Sequence, residues 1–192
     1  MTPSPKAIAI ETLEIAESNL LNSFMGVRPD EIHEQAHPEF NSIIWILGHC
    51  FTHFHLVLCS KCQETEIFTE DIAHYFRFGT TKEEISKTGP PMTFAKLIDE
   101  YLKISASGFS YLQSIDDEDL EKVIFPEYGE NLLQSIQRIG LHYMGHVGQI
   151  VLIRRALGNP GATFVGGISS IGRSKIREKW DKWWSENRND FE

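Results

Sequence analysis

The chain has 192 residues, a hydrophobic fraction of 41% and a formal net charge of −9. That length and apolar content suit one domain with a sizeable core, so residues 1–192 are read as a single domain. The acidic balance excludes a protein whose main task is to neutralise nucleic-acid phosphates, which requires clustered Lys and Arg.

The opening stretch, MTPSPKAIAIETLEIAESNLL, has one early Lys, acids from Glu11 onward and no long uncharged apolar run. Neither a secretory signal nor a membrane anchor is expected there. Residues 5–25 place Ala9, Leu13, Ala16, Leu20 and Phe24 at steps of three and four, with Glu11, Glu14 and Glu17 elsewhere on the wheel, which predicts an amphipathic first helix. Asp30 to Phe40, flanked by Pro29 and Pro38, reads as a connection with room for a short helical turn. Asn41 or Ser42 can then cap a second helix over about 42–62.

On that helix Ile43, Leu47, Cys50, Phe54 and Val57 form one stripe, and Ile46, His49, His53 and Leu56 an adjacent one, so much of its circumference is buried. Cys59 and Cys62 near its end have Cys-x-x-Cys spacing, with His55 one turn earlier. A redox pair needs the helix N-terminal dipole to lower the thiol pKa, and this pair falls near the opposite end, so packed or partly exposed thiols are expected. Three cysteines, an odd number, give no disulfide framework and fit a reducing, cytoplasmic setting.

Gln63 to Pro91 is polar, contains Gly79, Gly89, Pro90 and Pro91, and has no sustained period, which predicts a long crossover. A third helix, capped by Thr93 and running to about Gln113, buries Phe94, Leu97, Tyr101 and Leu112. Asp116 to Asp119 form an acidic turn, read as solvated or as a helix start rather than as a metal site. The fourth helix, about 131–157, carries Leu132, Ile136, Ile139, Tyr143, His146, Ile150, Ile153 and Leu157 at alternating steps of four and three, which places His146 on its seam and His142 beside it. Gly158-Asn159-Pro160-Gly161 stops it. The extension from 159 to 192 ends in a short helix, Lys175 to Glu186. There Trp180 and Trp184 share a face and dock on the bundle or on a second subunit, while the interleaved Lys and Arg form a solvated face.

Four long helices without a convincing strand pattern predict an all-α fold, a four-helix bundle with a crossover after helix two and a C-terminal extension. His142 and His146, four apart on a helix, point the same way and can share one metal ion. Two ligands do not make a site, and His49 inside the apolar second helix is the best candidate for a third. A buried His is more often a satisfied core residue, hydrogen-bonded through one ring nitrogen. Several on inward positions of two helices would each need a partner, and a shared ion satisfies them together. Gly48 and Gly145 each precede a proposed ligand, either opening room beside an ion or serving packing.

Trp45-Ile46-Leu47-Gly48-His49, with His142-x-x-x-His146-x-Gly148-Gln149-Ile150 and the closing Arg154-Arg155-x-Leu157-Gly158, resembles the DinB-like superfamily of metal-binding four-helix-bundle proteins. The resemblance covers most of residues 5–158, is strongest in helix four and includes the acidic turn at Asp116–Asp119. It implies a divalent metal on His49, His142 and His146, frequent homodimerisation, and an activity such as that of the family's transferases and isomerases that use low-molecular-weight thiols, an S-transferase first among them. The alternatives are a metal-dependent hydrolase and a non-catalytic metal-binding bundle. His53 and Gln149, one turn and three residues beyond proposed ligands, are candidates for lining the pocket or supporting a ligand, because a catalytic ion needs an open position that a fourth His would close. Nitrogen ligands favour zinc or nickel, with iron or manganese as alternatives, and a divalent ion so held lowers the pKa of a water or a thiol. No nucleic-acid partner and no membrane are expected, and the small-molecule partners are a thiol and an electrophile.

Overall fold

The structure, a computed structural model, describes residues 2–80, 87 and 89–192. Part of the expected crossover, at 81–86 and 88, lies outside them. The elements in chain order are α1 (Pro5–Phe24), α2 (Ile43–Phe54) continued by a π-helical turn (His55–Lys61), a short α3 (Glu70–Tyr75), α4 (Phe94–Ser114), a hairpin of β1 (Val123–Phe125) and β2 (Glu130–Asn131), α5 (Leu132–Ala156) and α6 (Ser170–Asn187). α1 packs chiefly on α5, α2 also packs on α5, and the π turn lies against α4, giving an all-α bundle.

The helix starts follow their caps. Ser4 accepts from the Ala7 amide, Thr93 from Lys96 and Ser169 from Gly172, while Asn131 and Gln134 form a reciprocal capping box that starts α5. Gly158, at φ +78°, ends α5 in a left-handed conformation that costs glycine little. Ala9, Leu13, Ala16, Leu20 and Phe24 of α1, and Phe94, Leu97, Tyr101 and Leu112 of α4, are buried as their period predicts.

Three expectations are corrected. The seam of α5 runs through Tyr143, Val147 and Ile150, and His146 stands beside it only partly buried; Val147 is the residue that packs. The crossover contains α3, held because the Trp45 indole N–H donates to the Tyr75 carbonyl at 3.1 Å. The segment before α5 forms an antiparallel hairpin, too short to show alternation.

Two buried polar groups lock the helices. Glu17 of α1 accepts from Tyr101 at 2.9 Å and also from Ser105, both on α4, and the Tyr143 hydroxyl of α5 donates to that of Tyr101 at 3.2 Å. Burial raises the Glu17 pKa. Arg154 donates to the carbonyls of Ser23 and Met25 at 2.8 and 3.0 Å, satisfying acceptors that the end of α1 leaves free. α6 docks on the bundle through buried Trp180 and Trp184 and an ion pair between Arg188 and Asp99 at 2.6 Å. It begins at Ser170, earlier than the Trp-rich pattern suggests, and Arg173 pairs with Glu11 and Glu14 of α1.

Ile43–Lys61 is long and apolar enough to cross a membrane by composition, and it is mostly buried inside the protein. Cys50, Cys59 and Cys62 are free thiols. The acidic turn serves structure: Asp119 accepts from the Asp116 amide and pairs with Lys122, and Asp117 accepts from the amide of Lys6.

Candidate metal centre

α2 and α5 bring three imidazoles together. His49 Nε2 lies 3.0 Å from His142 Nε2, and His142 Nε2 lies 3.0 Å from His146 Nε2. A ligand atom from each ring is within 4.8 Å of both others. Nitrogens bound tetrahedrally at about 2.1 Å to one ion stand roughly 3.4 Å apart, so a small adjustment of these rings fits a divalent metal.

The outward nitrogens are anchored. His49 Nδ1 lies 2.7 Å from the Phe76 carbonyl, just past α3, and His146 Nδ1 lies 2.8 Å from Gln149 Oε1. Both partners accept, so both rings carry their proton on Nδ1 and turn a bare Nε2 inward, as ligating histidines do. Trp45 stacks on His49 with centroids 4.8 Å apart, fixing the ring plane. His142 Nδ1 meets a fourth ring, His53 Nδ1, at 2.9 Å, and the other side of His53 touches the Arg138 guanidinium.

Burial lowers the pKa of all four histidines. His53 falls to about 3, through burial and then the Arg138 charge, and His142 to about 2, through burial and then its histidine neighbours. His49 and His146 move the same way, again by burial. All four are therefore neutral at pH 7, the form that binds metals.

A cavity of about 740 Å³ reaches His49, His53 and His142, with Leu56, Phe68 and Phe78 among its walls. It is large enough for a small organic molecule. His55, in the π turn, shapes one side by accepting from the Ile67 amide at 2.9 Å, beside the cavity-lining Phe68, whose ring centroid lies 5.4 Å from its own. π turns inside helices recur at functional sites.

A family model described as DinB superfamily matches residues 12–150. The chain belongs to the DinB superfamily. No curated protein and no solved structure matches it.

The structure gathers His49, His142 and His146, the three histidines predicted from sequence, into one cluster and turns His53 and Gln149 toward it. Sequence reasoning missed Arg138, Glu130 and Phe76. Arg138 had a signal, because Arg138, His142 and His146 are spaced by four on one helix face. Phe76 acts through its backbone carbonyl and Glu130 from the hairpin, and neither leaves a pattern in the sequence. The Cys59/Cys62 pair stands apart from the centre, and burial pushes both thiols up to about 11.

Proposed function

We propose that this DinB superfamily protein holds one divalent metal ion on His49, His142 and His146 and works as a metal-dependent S-transferase, joining a low-molecular-weight thiol to an electrophile in the cytoplasm. The observation that carries the reading is the convergence of three Nε2 atoms beside a cavity of small-molecule size. A structural staple would be closed off by protein ligands, whereas this cluster faces a cavity. Bound there, a divalent ion supplies Lewis acidity that lowers the pKa of a thiol or a water. Zinc or nickel suits an all-nitrogen donor set, and iron or manganese would also accept it.

The chain's own residues do the rest. Phe76 and Gln149 hold the His49 and His146 rings in the ligating orientation. Leu56, Phe68 and Phe78 offer an apolar wall that binds the electrophile and limits water, which favours thiol transfer over hydrolysis. A homodimer goes with this reading as a proposal, for which the exposed apolar side chains Leu141 and Val165, at 76% and 57%, offer contact points beside the seam of α1 and α5.

Elemental analysis of protein purified without a His tag should give about one metal per chain, and His146→Ala should abolish both that metal and thiol consumption in the presence of an electrophile. Absence of metal, with no thermal shift on adding zinc or nickel, overturns the proposal. Metal without thiol consumption overturns the transferase half alone.

A further inference from the structure

Arg138 lies one turn before His142 on α5 and is seated from several sides. Its Nε reaches both carboxylate oxygens of Glu130, at 2.9 and 3.1 Å, and Nη2 lies 2.8 Å from Oε1. The guanidinium also sits over the Phe125 ring, 5.0 Å from its centroid, and Ser135 donates to Glu130 at 2.5 Å. The remaining nitrogen, Nη1, touches His53 Nε2.

A guanidinium only donates, so His53 Nε2 accepts, and the single proton of this neutral ring sits on Nδ1. His53 Nδ1 then donates to His142 Nδ1, 2.9 Å away. His142 must therefore carry its own proton on Nε2, aimed between the bare Nε2 atoms of His49 and His146 at 3.0 Å each. Two of the three converging nitrogens offer a lone pair, and the third offers a proton. A metal-ligating His normally donates from its other nitrogen to a carbonyl or carboxylate; His142 accepts there instead.

His142 can ligate through Nε2 only in the other tautomer, with its proton on Nδ1. Keeping both rings neutral, the His53 Nδ1 proton passes to His142 Nδ1, the His142 Nε2 proton leaves to water in the cavity, and water returns one proton to His53 Nε2. The count balances and neither ring changes charge. His53 Nε2–H would then face an Arg138 N–H, and two donors repel at that distance.

We propose that Arg138, seated by Glu130 and Phe125, is a positioning residue that latches His142 in the tautomer unable to ligate, and that metal loading requires Arg138 to release His53. This rests on the metal reading above. The test uses the metal-free full chain with ¹⁵N-labelled histidine, whose ring-nitrogen NMR shifts report the tautomer, together with Zn²⁺ and Ni²⁺ affinities from competition with a chromophoric chelator.

The wild type should show His142 protonated on Nε2, and Arg138→Met should move that proton to Nδ1 and tighten metal binding on the order of tenfold. Arg138→Lys, which keeps a donor, should stay near wild type, while Glu130→Gln, which loosens the seat, should shift both readouts toward Arg138→Met. Tighter binding with an unmoved tautomer overturns the latch, because loss of a repelling charge would suffice. So does a wild-type His142 already protonated on Nδ1. No binding by either protein overturns the metal reading itself and is told apart from failure of the latch, because the tautomer is still read in metal-free protein.

Discussion

Replacing Gly48 by Ala should damage the fold and the metal centre together. A Cβ at Gly48 would lie 2.3 to 2.5 Å from three ring atoms of Phe76. Carbon atoms pack at about 3.5–4.0 Å, so the overlap exceeds about 1 Å. Phe76 is fully buried and meets Tyr75 edge-on at 4.9 Å, so its ring has little room to give way. Overpacking of this kind costs about 1–3 kcal/mol, and the better helix propensity of Ala returns up to about 1 kcal/mol. Relative to Gly145→Ala, which has the same propensity gain, the loss should be about 1–3 kcal/mol, read from the urea midpoints of the metal-free proteins. The Phe76 carbonyl that anchors His49 Nδ1 at 2.7 Å moves with its ring, so zinc affinity should fall about tenfold in a chelator competition. Gly145→Ala is the control, because nothing lies within 4 Å of a Cβ there. A Gly48→Ala protein as stable as the Gly145→Ala protein, with wild-type zinc affinity, would refute the reasoning.

Acid should destabilise the metal-free protein before its carboxylates titrate. The folded pKa values of His53, about 3, and His142, about 2, lie below the unfolded value, so the unfolded chain takes up protons first. The stability is fully present above about pH 6.5 and is lost as pH falls toward the folded values; for His53 the loss between pH 7.5 and 5 is on the order of 2 kcal/mol. Urea midpoints that do not fall across that interval would contradict this. Cys59 and Cys62, with pKa values of about 11, should react with a maleimide at pH 8 at least about tenfold more slowly than free cysteine. A fast labelling phase assigned to either by mass spectrometry would count against the packed-thiol reading.

The bundle was legible because long helices repeat their apolar positions: the α1 set from Ala9 to Phe24 and the caps at Ser42 and Thr93 lie where pattern and cap chemistry place them. The three histidines were legible from spacing and from family resemblance. His146 was misplaced on the seam because a step of three to 146 and a step of four to 147 from Tyr143 fit the helical period equally well, and only packing chooses Val147. α3 was missed because its six residues are too few to display a period, and tertiary contacts such as the bond from Trp45 hold it. The hairpin escaped for the same reason, and with it Glu130 and Phe125, whose partner Arg138 is eight residues from one and thirteen from the other. Only Arg138 of that group left a trace, in its spacing of four from His142 and His146.

The polarity of the rings separates this cluster from ordinary core histidines. A buried imidazole kept for packing needs its polar atoms satisfied, and any arrangement of partners would serve. Here the outward nitrogens of His49, His146 and His142 go to three separate anchors, Phe76, Gln149 and His53, while the inward nitrogens meet only one another. Packing gives no reason for that division. On the proposed metal reading a cation does, because ligation needs fixed lone pairs directed at one point: His49 and His146 offer theirs already, and His142 offers one once its proton moves to Nδ1. His142, tied to a ring that can either donate or accept, is the proposed ligand whose inward nitrogen can change from proton donor to lone pair without moving the backbone.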